Sequence, residues 1–213
     1  MKKNTSTFFT IASMALFAFV GCKDKAKEAK TTEAETIIEQ ALTSEKYVVD
    51  TEASTIEWQG FKPAGSHNGT IDIENGILET SNGSITGGSF LINMNSLKDS
   101  ENDAKLEGHL KSGDFFEVEK HPNAAFEITN IEKIEGLTML SGNLTLKDIK
   151  NNITFPVTIS NTNDNLTLSS ETFSIDRTKW GIKFKSKTFI ENLEDNFIND
   201  EIELKVTVKA TKL

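Results

Sequence analysis

Residues 106–128 read LEGHLKSGDFFEVEKHPNAAFEI. Leu106 and Leu110 are four apart and share one helical face. Gly113 and Asp114 read as the stop, and Phe115-Phe116 place two apolar rings directly after it. Pro122 bars the helix from resuming and pushes His121 toward extended backbone. Phe126 and Ile128 then alternate with Glu127 and Thr129, the two-residue period of a strand. A short helix that ends in two phenylalanines beside a sheet is built to close the end of an apolar space. The rest of the chain bears on whether that space is a packed core or a ligand cavity.

Outward from this stretch the pattern is strands. Ile56 and Trp58 alternate with Glu57 and Gln59, and Ile71 and Ile73 with Thr70, Asp72 and Glu74. Asn75-Gly76 reads as a hairpin signal before Ile77-Leu78. Phe90, Ile92 and Met94 share one parity, as do Ile153, Phe155, Val157 and Ile159. Pro156 restricts its strand to an edge, a bulge or a side without a partner. Leu166 and Leu168 are followed by Phe173 and Ile175 on the opposite parity, which predicts a bulge. Ile202, Leu204, Val206, Val208 and Ala210 against Glu203, Lys205, Thr207, Lys209 and Thr211 form the cleanest strand. One apolar and one polar face per strand requires an antiparallel sheet, as a sandwich or a closed barrel. The helical insertion around 101–116 suits a cap on a barrel end.

The chain has 213 residues, 37% apolar, with a formal charge of -9. That balance argues against nucleic acid, whose phosphates require clustered Lys and Arg. Fourteen Phe against one Tyr give aromatic surface almost free of hydroxyls, which suits an interior with little hydrogen bonding. Cys22 is the single Cys, so no intrachain disulfide forms and zinc sites with two or more Cys are excluded. Lys2 and Lys3 precede an apolar run from Phe8 to Val20, so 1–21 reads as a signal peptide. The Gly21-Cys22 junction resembles a bacterial lipobox, which implies lipidation of Cys22 and anchoring to a membrane. Residues 22–46 have no aromatics, Gly or Pro after Cys22 and read as a flexible tether. The folded domain is expected over 47–213.

Polar candidates are few. His67, His109 and His121 lack the paired spacing of a metalloprotease helix, so no metal site is expected. Asp176-Arg177-Thr178-Lys179-Trp180 offers Arg177 either to a ligand phosphate or to a structural bridge with Asp114 or Asp176. No nucleophile elbow and no glycine-rich phosphate loop is present, so no enzyme is expected.

Tyr47-Val48-Val49-Asp50, Ile56-Glu57-Trp58, His67-Asn68-Gly69, Gly87-Gly88-Ser89-Phe90 and Ile92-Asn93-Met94 occur in order. They are followed by HLKSGDFFEVEKHP, Gly142-Asn143-Leu144-Thr145-Leu146-Lys147 and Ile175-Asp176-Arg177-Thr178-Lys179-Trp180-Gly181-Ile182. Together these resemble the YceI-like family of secreted bacterial proteins, in its lipoprotein form. The resemblance implies an all-β, antiparallel, lipocalin-like barrel of about eight strands. It also implies an apolar tunnel holding a long polyisoprenoid, a quinone tail or a polyprenyl phosphate, non-covalently and with no other cofactor. Parity assigns Ile56, Trp58, Phe90, Ile92, Met94, Phe126, Ile128, Phe155 and Val157 to the lining. Phe115 and Phe116 would close or gate one end, and Trp180 is a further lining candidate. His67, His109 and Arg177 are candidates for a polar mouth; the role of His121 is open. The expected setting is the cell envelope, facing periplasm or cell surface. Three alternatives stay open: a stress or adhesion module with a packed interior, a homodimer through an outer face, and a hydrolase using His67 and His109.

Overall fold

The computed structural model describes residues 25–37, 44–162 and 164–213. The expected signal peptide over 1–21, Cys22, and residues 38–43 of the expected tether lie outside the described residues. Twelve strands follow in order: β1 Lys27–Glu28, β2 Lys30–Glu33, β3 Glu45–Val49, β4 Thr55–Lys62, β5 Gly65–Ser81 and β6 Ser84–Asp99. After a helix, α1 Ala104–Lys111, come β7 Asn123–Ile134, β8 Leu137–Leu146, β9 Ile149–Thr162, β10 Asn165–Ser170, β11 Phe173–Asp176 and β12 Glu201–Lys212. A 3-10 turn, Arg177–Trp180, follows β11.

β12 closes the sheet on itself. Its C-terminal half pairs with β10 on one side and β3 on the other. Its N-terminal half pairs with β11 and β4. The ring runs β12, β10, β9, β8, β7, β6 and β5, with β3 and β4 sharing the eighth place. The expected antiparallel barrel is therefore the fold. Tight turns hold the register. Asn82-Gly83, Glu135-Gly136 and Lys147-Asp148 each have two consecutive positive φ values, at 51° and 76°, 51° and 85°, and 48° and 61°. Such pairs match the twist of the strands they join.

The hairpin expected at Asn75-Gly76 is instead the middle of β5, beside a register shift between Ile73 and Asn75. Gly76 is required there by space, not by a turn. A Cβ would stand 2.8 Å from Phe90 Cδ1 and 2.9 Å from Val49 Cγ2. The parity change before Phe173 is a break at Glu171-Thr172, where Val206 N donates to Ser170 Oγ at 2.8 Å in place of a ladder bond. Pro156 faces the side of β9 that β10 leaves at Val157 and β2 takes up only at Thr154, so no donor is missed.

That gap explains the N-terminal strands. Where β10 stops, β9 and β11 diverge and leave a slot in the wall. β1 pairs in parallel with β11, Ala29 N donates to Ser174 O at 2.8 Å, and β2 pairs antiparallel with β9. Ala29 is buried in the core. The chain then crosses the outer face, where Asn143 accepts from Glu35 N at 2.9 Å and donates to Glu35 O at 2.7 Å. The segment expected as a tether is thus, over 25–37, a strap in the wall. It lacks apolar pattern because backbone hydrogen bonds hold it.

α1 is tied down at its start and at its middle. Asp103 caps it, accepting from Lys105 N and Leu106 N. Buried Glu107 accepts from Asp99 N at 3.1 Å, fixing the helix to the end of β6. At the opposite end of the ring, Tyr47, Leu78, Leu166 and Ala210 pack a tight core.

Ala29→Asp is expected to lower stability by at least about 2 kcal/mol, because an unpaired carboxylate would enter the wall. Lys27→Ala, on exposed β1, is expected to stay within about 0.5 kcal/mol. Urea midpoints separate the two. Equal tolerance of both would mean that 25–37 is free in solution.

Candidate functional site

The inward residues do not fill the ring. At the α1 end they enclose a chamber of about 470 Å³, and a second space of about 90 Å³ lies deeper. Ile56, Ile92, Leu144 and Leu204 line both and form the throat between them. Below the throat the walls are aromatic. Phe126 lies between Phe90 and Phe155, with ring centroids 6.3 and 6.0 Å away. Phe155 stacks on Phe173 at 4.1 Å. This cluster, backed by the tight core, is the closed end.

The upper chamber is lined by Leu106, His109 and Leu110 of α1 together with Phe116, Ile175, Ile182 and Phe184. Exposed lining residues mark the opening: Lys62 and Ala64 of the β4–β5 hairpin, and Asp195 and Asn196 of the loop before β12. No Ser, Thr, Cys or Tyr lines either space. A hydroxyl or thiol nucleophile is therefore absent from these walls. Among the described residues no group of three His, Cys, Asp or Glu is placed to hold a metal ion.

Trp58 stands across the chamber wall with its indole N–H donating to Lys98 O at 3.2 Å. This reach passes over Gly69, where a Cβ would be 1.8 Å from Lys98 O and 2.9 Å from Trp58 Cζ2. The glycine in the His67-Asn68-Gly69 motif thus makes room for the indole and its bond. His67 lies beside it at the rim, with Nε2 3.0 Å from Lys62 Nζ and Nδ1 3.9 Å from Asp99 Oδ1. Asp99 is buried and its Oδ1 has no hydrogen-bond partner. His109 meets Asp114 at 3.1 Å and sets its ring edge-on to Phe115 and Phe184, at 5.2 and 4.9 Å. His109, Phe115 and Phe184 thus form an aromatic cluster in the chamber wall.

Arg177 is 1% exposed and holds the loop from Ile182 to Asp200. Nε donates to Asn199 O at 3.0 Å and NH1 to Ile182 O at 2.7 Å. NH2 donates to Phe184 O and Ile198 O, both at 3.0 Å, and lies 3.4 Å from Asp200 Oδ1. Its guanidinium also lies over the Phe115 ring, 5.7 Å from the centroid. Burial pulls its pKa down from the usual arginine value, and Asp200 and Asp176 oppose that pull. The guanidinium is committed to the protein, so the expected role for Arg177 at a polar mouth is replaced by a structural one. Its ionic partner is Asp200, not Asp114 or Asp176. Asp176 instead caps the 3-10 turn by accepting from Thr178 N at 2.9 Å.

Of the residues expected to line the tunnel, Ile56, Trp58, Ile92, Met94, Phe115 and Phe116 line the upper chamber, and Phe90, Phe126 and Phe155 the lower space. Ile128 and Val157 are buried toward the packed end and line neither. Trp180 is fully buried, donates to Leu144 O at 3.0 Å and also lines neither. His121 lies away from the chamber, 3.1 Å from Asp148. The parity of the last strand already carried Ile202 and Leu204. The 182–200 loop carried no periodic signal, and its lining residues are found only in three dimensions.

Residues 47–210 match the YceI-like domain. A Pseudomonas aeruginosa chain described as "UPF0312 protein" is 44% identical over 68 residues, which is 32% of this chain and 32% of that one. The chain thus spans about a third of the length of the curated relatives it matches. Among solved structures, Burkholderia cenocepacia BcnA superposes with a TM-score of 0.61 at 18% identity, covering 76% of this chain and 99% of BcnA. A polyisoprenoid binding domain from Saccharophagus degradans, implicated in plant cell wall breakdown, gives 0.57 at 12% identity, covering 78% and 98%.

Arg177→Met is expected to cost about 3–5 kcal/mol, because it strands several buried carbonyls and Asp200. Arg177→Lys should not rescue it, since one ammonium cannot reproduce the planar fork. Hydrogen exchange in 182–200 should rise sharply in both variants. Wild-type protection there would contradict the assigned role.

Proposed function

The chain belongs to the YceI-like family, and from that premise we propose that it is a lipid-binding protein of the cell envelope. It sequesters one long apolar chain, a polyisoprenoid such as a quinone tail or a polyprenyl phosphate. The tail enters between Lys62 and Asp195 and passes the throat at Ile92 and Leu204. It ends against Phe90, Phe126 and Phe155, and the polar head stays at the rim beside His67. The polyisoprenoid binding domain from Saccharophagus degradans shares this fold. Cys22 is proposed as the lipidated anchor. No enzymatic step is proposed.

The observation that carries the reading is the unfilled apolar chamber of about 470 Å³. Its size falls in the range of about 300–1,000 Å³ common to small-molecule sites. Such a site needs area and not polar anchors. Ten buried carbons at about 0.8 kcal/mol each give about 8 kcal/mol before ordering costs, the scale of a micromolar Kd. A module with a packed interior would have side chains where the chamber stands.

Native mass spectrometry with organic extraction tests the proposal on protein purified from bacterial membranes. A bound mass releasing as a polyprenyl compound is the expected result. Ile92→Trp should plug the throat and abolish retention of long chains while the strand signal in circular dichroism is kept. A folded Ile92→Trp protein with unchanged lipid content would refute the tunnel assignment.

A further inference from the structure

The rim of the opening carries a feature that holding a lipid does not require. Lys183, Lys185 and Lys187 alternate through the start of the 182–200 loop, in a chain whose charge is -9. Directly after them Phe189 and Ile190 are 50% and 41% exposed. The lysines sit over rings: Lys183 Nζ is 4.2 Å from the Phe189 centroid, Lys187 Nζ 3.5 Å from Phe197 and Lys185 Nζ 5.7 Å from Phe184. The acidic residues of the loop come later, at Glu191, Glu194, Asp195 and Asp200. Asp200 is engaged by Arg177 and by Thr188 Oγ1, the latter at 2.6 Å.

The exposed pair is held in position. Ser186 is fully buried; its carbonyl accepts from Phe189 N and Ile190 N at 3.2 and 2.9 Å, and its hydroxyl accepts from Thr188 N at 3.2 Å. Ile198 N donates to Lys185 O at 2.9 Å, tying the basic arm to the chamber lining. Lysines whose ammonium groups lie over aromatic faces on an exposed segment, beside a projecting Phe-Ile pair, match the layering of a lipid interface. The segment just before β1 lies near this end. Lys25 pairs with Glu201, next to the loop's last residue, and Ala26 N lies 3.4 Å from Glu203 Oε1.

We propose that Lys183–Ile190 is a membrane-docking surface for anionic lipid, which turns the opening of the chamber toward the bilayer. Phe189 and Ile190 enter the headgroup layer, and Lys183 and Lys187 face lipid phosphates. Each lysine brought to an anionic surface is worth roughly fivefold in partitioning. The docking stands without the chamber's ligand; only its use in passing a lipid between bilayer and chamber rests on the function proposed above.

The test uses the full chain mixed with vesicles of phosphatidylcholine, with or without phosphatidylglycerol, both brominated on the acyl chains. Trp58 and Trp180 are common to every variant, so the difference between variants reports the new Trp. Phe189→Trp is compared with Ile134→Trp at the far end of the barrel. The expected result is quenching of Trp at 189 at least about threefold stronger than at 134 when anionic lipid is present. Lys183→Glu with Lys187→Glu, or neutral vesicles, should remove the contrast. Equal quenching at both positions, none at 189, or a contrast indifferent to charge would overturn the proposal. Lipid content by extraction is read separately, so failure of docking and failure of the tunnel are distinguishable.

Discussion

The structure depends on one pairing, that of β12 with the strands at both ends of the sheet. By meeting β10 and β11 on one edge and β3 and β4 on the other, it turns an open sheet into a ring without a free edge in this wall. Closure at eight places fixes a diameter at which side chains can fill the interior or leave room for one ligand. Side-chain identity then decides which happens along the axis. At one end Tyr47, Leu78 and Leu166 fill the space, in the middle the phenylalanines form a floor, and at the other end the lining stands back. The strap through Ala29 is a consequence of the same closure. It occupies the slot that opens where β10 ends before β11 begins.

The open end is organised by a single buried cation. Arg177 gathers carbonyls from Ile182, Phe184, Ile198 and Asn199, and so shapes a long irregular loop into part of the chamber wall. Burying a guanidinium is costly unless its hydrogen bonds are met, and here the loop meets them. The same arrangement removes the one arginine that a phosphate would otherwise seek inside the chamber. Polar capacity is left in Lys62, His67, Lys185, Asp195, Asn196 and Asn199, beside a wall that is mostly hydrocarbon and aromatic.

Much of this was legible in the sequence. The two-residue alternation of Ile56 with Trp58, of Phe90 with Ile92 and Met94, and of Ile202 with Leu204 reports which side chains face inward, because strand geometry leaves no other reading. The helix and its diphenylalanine were legible from Leu106, Leu110 and Pro122. Other features were not. Asn75-Gly76 and Asn82-Gly83 are the same dipeptide, and only the position of Phe90 and Val49 makes the first a close approach and the second a turn. Trp180 and Arg177 resemble ligand-facing residues in sequence, yet both are consumed by backbone carbonyls. The strap is held by backbone bonds, which leave no trace in residue type, and parity cannot tell Ile128 in the packed half from Phe126 beside the cavity.

The central claim is that the two spaces form one route, open between Lys62 and Asp195 and closed at the phenylalanines. The most direct measurement is a crystal structure with an isoprenoid chain brominated at its terminal carbon. The account places the anomalous bromine peak among Phe90, Phe126 and Phe155, with continuous density leading past Ile92 to the rim. A peak on the outer wall, or an interior without density, would contradict it.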